Sequence, residues 1–293
     1  MSNLSNGSSS LTMQLINILE GKNSSESNCN SLTFLAVKNK VLLHFLRVTG
    51  WNNLLRASQE QAINTTINTV HVLSDLLEGS NYAFFKFLKP MNYVPSDIDI
   101  LVNLCDVEEF VKKISRLGYN VAVKEQYCVT LIKGSSVIDL YVHPTIGNVI
   151  YLAGDVLLRH TTKLEFHGFD VITLEKYAEV LMAAAHAIYK EKLYTLNDYF
   201  TIKTWVTPKS FSLAKELNCE YALDFALELN QKVDNANINL PYRVPLALWF
   251  TILMKKWCND EFTRATSTNI LKTMLYDRRF VDLTVSKLTR TTY

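Results

Sequence analysis

The chain has 293 residues, 48% of them apolar, which is enough for one large domain or two and excludes a disordered protein. Thirty lysines and arginines against 28 acids leave a net charge of +2, so overall charge announces neither a nucleic acid nor a membrane as partner. Five scattered cysteines (Cys29, Cys105, Cys128, Cys219, Cys258) without Cys-x-x-Cys spacing argue against a disulfide framework and a zinc site and fit a reducing cytoplasm.

No basic segment followed by an apolar run opens the sequence. The longest apolar run, Leu246 to Met254, is broken by Thr251 and falls short of the ~20 residues of a membrane span. The expectation is a cytoplasmic protein with no signal peptide and no membrane partner.

In chain order, Ser2 to Ser10 and Lys22 to Ser31 are Ser/Asn-rich and read as frayed, with one short helix over Leu11 to Leu19 between them. Apolar spacing predicts helices over Leu32 to Val48 and over Glu60 to Leu77, the second closed by Gly79. At Asn81 the texture changes. Tyr82 to Leu88 and Ile98 to Val102 read as strands, Val107 to Leu117 as an amphipathic helix, and Asn120 to Tyr127, Val129 to Lys133 and Val137 to Val142 as strands. The last two are joined across Gly134-Ser135-Ser136, and His167-Gly168 marks one more turn within Leu164 to Ile172.

From Thr173, placed as an N-cap, the 3.6-residue period returns, with Leu174, Ala178, Leu181, Ala185 and Ile188 as a buried stripe. Further helices are predicted over Leu196 to Val206, Ser210 to Leu217, Tyr221 to Gln231, Val244 to Trp257 and Ser267 to Tyr276. The fold class is α+β, with a small mixed sheet of five or so strands. It divides into a helical N-terminal segment with a disordered start (1–80), an α/β core (81–172) and an all-helical C-terminal domain (173–293).

The stretch Pro95-Ser96-Asp97-Ile98-Asp99-Ile100-Leu101 sets two carboxylates in an apolar strand, where an anion is costly unless a cation meets it. Alternation sends Asp97 and Asp99 to one face and Ile98, Ile100 and Val102 to the other. Asp139 stands in a second apolar strand (VIDLYV) that can lie beside the first. Three converging carboxylates would hold two Mg²⁺ or Mn²⁺ ions about 3.5–4 Å apart, an arrangement suited to in-line phosphoryl or nucleotidyl transfer.

An Asp-x-Asp strand, a helix, a later strand with a third Asp and a following helical domain resemble the DNA polymerase β-like nucleotidyltransferase superfamily. Leu181 to Phe200 (LMAAAHAIYKEKLYTLNDYF) is similar to the helical tail of nucleotidyltransferase-like proteins of bacteria and archaea. The resemblance spans roughly Tyr82 to Trp205. It implies Asp97, Asp99 and Asp139 as catalytic and metal-ligating residues, Asp139 helping to take up a proton. It also implies a nucleoside triphosphate, ATP among them, as donor, a hydroxyl-bearing RNA, protein or small molecule as acceptor, and pyrophosphate as leaving group.

The chain departs from that pattern in one place: the family's Gly-Ser or Gly-Gly pair after the first strand is replaced by Phe87-Leu88-Lys89-Pro90, with no glycine between Asn81 and Asp97. Either Lys86 or Lys89 grips the triphosphate instead, or the chain is a catalytically inactive relative that binds nucleotide, RNA or protein. A cluster that binds a structural metal alone is the third possibility. The nucleotide-binding set is Lys86, Lys89, Ser96, His186 and Lys190, with Lys192 and Asp198 lining the cleft and His143 beside it. The plainer alternatives are solvated lysines, a helix-packing histidine at 186 and a turn residue at 143. Between Arg243 and Tyr293 nine Lys/Arg stand against four Asp/Glu, including Lys255-Lys256 and Arg278-Arg279. That excess is either a phosphate-backbone surface for an RNA acceptor or an ordinary helical face.

Overall fold

The computed structural model describes residues 10–22 and 29–269. Helix α1 (Leu11–Leu19) starts where the Ser10 hydroxyl accepts the Met13 amide at 3.3 Å. Most of the two Ser/Asn-rich segments lies outside the described residues, but Cys29 to Ser31 already belong to α2 (Cys29–Lys38). The helix expected over Leu32 to Val48 is in fact two, α2 and α3 (Leu42–Val48), with Lys40 between them in the left-handed region at φ 57°.

Asn39 makes the break. Fully buried, its amide donates to the carbonyls of Leu35 (3.0 Å) and Leu240 (3.1 Å), while its Oδ1 accepts the Leu196 amide at 2.9 Å. Those bonds tie the N-terminal helices to the C-terminal ones and outweigh helical continuation. Helix α4 (Leu54–Leu76) begins ahead of Glu60 because Asn53 caps it, accepting the Arg56 amide at 2.9 Å.

On α3, His44 is held as a neutral ring. Its Nε2 lies 3.2 Å from the Leu19 carbonyl, and its Nδ1 accepts from Asn92 at 3.0 Å. Burial lowers its pKa, the Leu19 carbonyl opposes and Arg47 adds to the lowering. For a histidine whose folded value is depressed, the contribution to stability is complete above the ordinary value of ~6.5 and is lost as pH falls below it. An NMR titration is expected to place His44 below that value. Denaturant unfolding at pH 5.5 is expected to show a larger loss relative to pH 7.5 in wild type than in His44→Gln.

The sheet begins with β1 (Tyr82–Phe85) and β2 (Ile98–Val102). A 3-10 turn over Leu104–Asp106 and α5 (Val107–Arg116) lead to β3 (Asn120–Lys124), β4 (Cys128–Lys133) and β5 (Ser136–Tyr141). A short hairpin of β6 (Thr145–Ile146) and β7 (Val149–Ile150) follows, then α6 (Gly154–Leu157) and the hairpin β8 (Thr161–Phe166) and β9 (Phe169–Leu174). Seven strands, rather than five or so, form one mixed sheet in the order β3-β4-β5-β2-β1-β9-β8. The pairs β2/β5 and β1/β9 are parallel. At the start of α6 a Cβ on Gly154 would sit 1.9 Å from the Val142 carbonyl oxygen, so only glycine fits there.

Thr173 is not an N-cap. It pairs with Phe84 in the parallel β1/β9 ladder, and α7 (Lys176–Ala185) starts after Glu175. Nor does α7 bury a stripe. Every residue from Ala178 to Ala185 is buried, because the helix packs against α8 (Leu196–Trp205), α9 (Pro208–Glu216) and α10 (Glu220–Asp234). A π-helical turn over His186–Glu191 continues α7. Strands β10 (Leu193–Tyr194) and β11 (Tyr242–Arg243) pair with each other, and α11 (Leu246–Asn259) and α12 (Glu261–Thr266) complete the described part. The helix expected over Ser267 to Tyr276 lies beyond it from residue 270 on, as do Arg278 and Arg279.

Strand alternation sorts the sheet's two faces. Ile98, Ile100, Val102, Ile138 and Leu140 pack on α4 and α5, whereas Phe85, Leu101 and Tyr141 join the core shared with α1 to α3 and α7 to α11. Asp99 and Asp139 therefore point toward the second, helical side. Lys256, counted with the basic excess, is no surface charge. It is fully buried on α11, donates to the Leu217 carbonyl at 2.7 Å and pairs with Asp260. Among the described residues no helix is long and apolar enough to cross a membrane.

Candidate active site

The parallel pairing of β2 and β5 sets Asp99 directly beside Asp139. Asp97 lies in the bend that enters β2, and one ligand oxygen from each of Asp97, Asp99 and Asp139 lies within 4.8 Å of the others. Each carboxylate has its own support. Ser96 Oγ donates to Asp97 Oδ1 at 2.9 Å, and Thr130 Oγ1, opposite Asp139 in the β4/β5 hairpin, donates to Asp139 Oδ1 at 2.6 Å. Asp99, 4% exposed, places Oδ2 2.7 Å from Lys86 Nζ. Its Oδ1 is buried and meets no hydrogen-bond donor among the described residues. A buried carboxylate oxygen without a donor is costly unless a cation reaches it, so the donor set fits a hard divalent ion.

The charges strain one another. Burial raises the pKa of Asp99, Lys86 opposes, and Asp97 and Asp139 add to the rise. Asp139 is raised too, chiefly by burial, against the Thr130 hydrogen bond and with Asp97 contributing. For Lys86, burial works against the charge, but Asp99 and Asp97 outweigh it and hold the ammonium charged. An incoming divalent ion would relieve the carboxylates.

Lys86 is the first residue after β1 and takes φ 57°, the backbone region that favours glycine. No helix follows over residues 86–97, so no helix N-terminus faces a phosphate there. Its strained backbone is pinned by Glu179, buried on α7, whose Oε1 accepts the Lys86 amide at 2.7 Å. From this backbone the Lys86 side chain reaches inward and is held by the Asp99 carboxylate.

A cavity of about 280 Å³ opens in front of the carboxylates. Lys86, Ser96, His186 and Lys190 all line it, as does Asp198, which also closes the capping box of α8 with Thr195. The π-helical turn carries two of them. Its His186 Nε2 lies 3.7 Å from Glu191 Oε1, and Lys190 Nζ lies 3.4 Å from the Tyr141 hydroxyl. Lys89 does not line the cavity, since its ammonium is 3.6 Å from Glu179 Oε2, buried behind the loop. Lys192 is not at the wall either; it is buried, and its carbonyl accepts the Val244 amide. His143 borders a different cavity, and its Nδ1 accepts the Gly154 amide at 2.9 Å.

No family model matches the sequence, and no curated protein matches it. Solved structures similar to it include two proteins of antibiotic resistance. One is the lincosamide antibiotic adenylyltransferase LnuA with lincomycin bound, 15% identical, over 49% of this chain and 94% of that one, at a TM-score of 0.33. The other is the solution structure of the antibiotic-resistance factor ANT(2'')-Ia, 13% identical, over 59% of this chain and 93% of that one, at a TM-score of 0.30.

Several residues in and behind the site escaped the sequence reading. Thr130 had a signal, because a hairpin closing on Ser136 sets it opposite Asp139. Glu179 had one too, as a lone acid in the apolar run of α7. Lys40, Tyr93 and Tyr141, which line the cavity itself, had none: each arrives through a loop or strand end whose course depends on distant contacts.

Proposed function

We propose that the chain is a divalent-metal-dependent nucleotidyltransferase that moves a nucleoside monophosphate from a nucleoside triphosphate to a hydroxyl-bearing acceptor and releases pyrophosphate. The observation that carries this is the donor-free, buried Oδ1 of Asp99 within a cluster of three aspartates, two on neighbouring parallel strands and one in the bend before the first. Asp97, Asp99 and Asp139 would hold Mg²⁺ or Mn²⁺. When bound, the ion would polarise phosphoryl oxygens and make the acceptor hydroxyl more acidic.

The chain's own groups supply the rest. Asp139, whose orientation Thr130 fixes, serves as the proton acceptor of the cluster, since Asp99 is already paired with Lys86. Lys190 and Lys40 line the cavity beside the carboxylates and are placed to meet triphosphate charge. His186 and Ser96 shape the same wall.

The test is incubation with α-³²P-labelled nucleoside triphosphates, Mg²⁺ or Mn²⁺ and pools of RNA, protein and small hydroxylated acceptors. Metal-dependent label transfer with stoichiometric pyrophosphate supports the assignment. Binding of triphosphate with no turnover against any pool would assign the chain instead to an inactive nucleotide-binding module, in keeping with the missing glycine pair.

A further inference from the structure

Lys86 is placed oddly for a residue meant to grip phosphate. Its Nζ lies 2.7 Å from Asp99 Oδ2, inside the carboxylate cluster, with the Phe85 and Tyr141 rings 5.2 and 5.6 Å away. Its main chain is fixed at that spot, because its amide is bonded to buried Glu179 in a left-handed conformation. Resting on the function proposed above, we infer that the Lys86 ammonium takes the place of one of the two divalent cations, so that this chain holds a single metal ion.

The oxygens support that count. One carboxylate oxygen of Asp99 goes to Lys86 and one of Asp139 to Thr130. What remains for metal is Asp97 Oδ2, since Ser96 holds Oδ1, the donor-free Oδ1 of Asp99, and Asp139 Oδ2, which the Tyr141 hydroxyl approaches at 3.5 Å. Those are three single ligands, suited to one octahedral ion that keeps waters and phosphate oxygens in its other positions. Charge agrees. Five carboxylates (Asp97, Asp99, Asp139, Glu191, Asp198) and three lysines (Lys40, Lys86, Lys190) line the cavity, an excess of two negative charges, which one divalent ion balances. A second ion would have to sit against an ammonium that repels it.

The experiment counts metal directly. The full chain is titrated with Mn²⁺ alone, bound ion is measured by the loss of the free Mn²⁺ signal in electron paramagnetic resonance, and the bound spectrum is inspected for Mn–Mn coupling. One uncoupled Mn²⁺ per wild-type chain is expected, and two coupled ions in Lys86→Met, whose fold is checked by circular dichroism. Two coupled ions in wild type would overturn the inference without help from the variant, as would one ion in both proteins. No Mn²⁺ on wild type would remove the metal-dependent transferase proposal itself, and with it this one.

Discussion

Changing Asp139 to asparagine is expected to abolish metal-dependent transfer while leaving the folded protein at least as stable. The amide oxygen still accepts from Thr130 Oγ1, so the local structure keeps its hydrogen bond. What disappears is a negative charge that burial and Asp97 already disfavour, which is why the metal-free protein loses nothing by its removal. Charge stabilisation by a bound metal is worth several kcal/mol in the transition state, so the rate is expected to fall by about 10²–10⁴-fold. Paired measurements of label transfer and of the thermal midpoint check both halves. An unchanged rate would remove Asp139 from the site. The same substitution at Asp99 is less informative, because it strands the charged Lys86 beside it.

Lys256→Ala is expected to be the most destabilising single change outside the sheet. The side chain is fully buried, its Nζ serves both the Leu217 carbonyl and Asp260, and Asp260 in turn caps α12 by accepting the Phe262 amide at 2.9 Å. Removing the lysine leaves a buried carboxylate without its counter-charge and a carbonyl without a donor, at a cost of about 3–5 kcal/mol. For a chain of this size that is a drop in the thermal midpoint on the order of 10 °C. The double variant Lys256→Met/Asp260→Asn restores volume, removes the stranded charge and keeps an oxygen for the cap. It is expected to regain most of the loss, and equal midpoints for the two variants would contradict this explanation.

The sheet's centre was legible because its physics is local. Ile98 to Val102 and Val137 to Tyr141 alternate apolar residues with one carboxylate each, and a strand period of two puts those carboxylates on one side whatever the rest of the chain does. What escaped detection depends on partners remote in sequence. Asn39 breaks the first long helix because it bonds to Leu240 and Leu196. Thr173 belongs to a strand rather than a cap because Phe84 lies beside it.

Lys86 illustrates the same limit at the site. An apolar strand with two carboxylates demanded a cation nearby, and Lys86 meets that demand for Asp99. The backbone from which Lys86 reaches inward is held by Glu179, a residue of α7 reached only when helix and sheet pack together. Lys89, three residues on, is drawn to the same glutamate from the other side and so does not line the cavity.

The most direct test of the carboxylate cluster as a nucleotide site is calorimetric titration of ATP, GTP, CTP and UTP, with and without Mg²⁺, into wild type and an Asp97→Ala/Asp139→Ala variant, which leaves the Lys86–Asp99 pair intact. Binding of at least one triphosphate that requires Mg²⁺ and vanishes in the variant is the expected result. Well-folded wild type that binds no triphosphate, or binds one equally well without metal and in the variant, would contradict it.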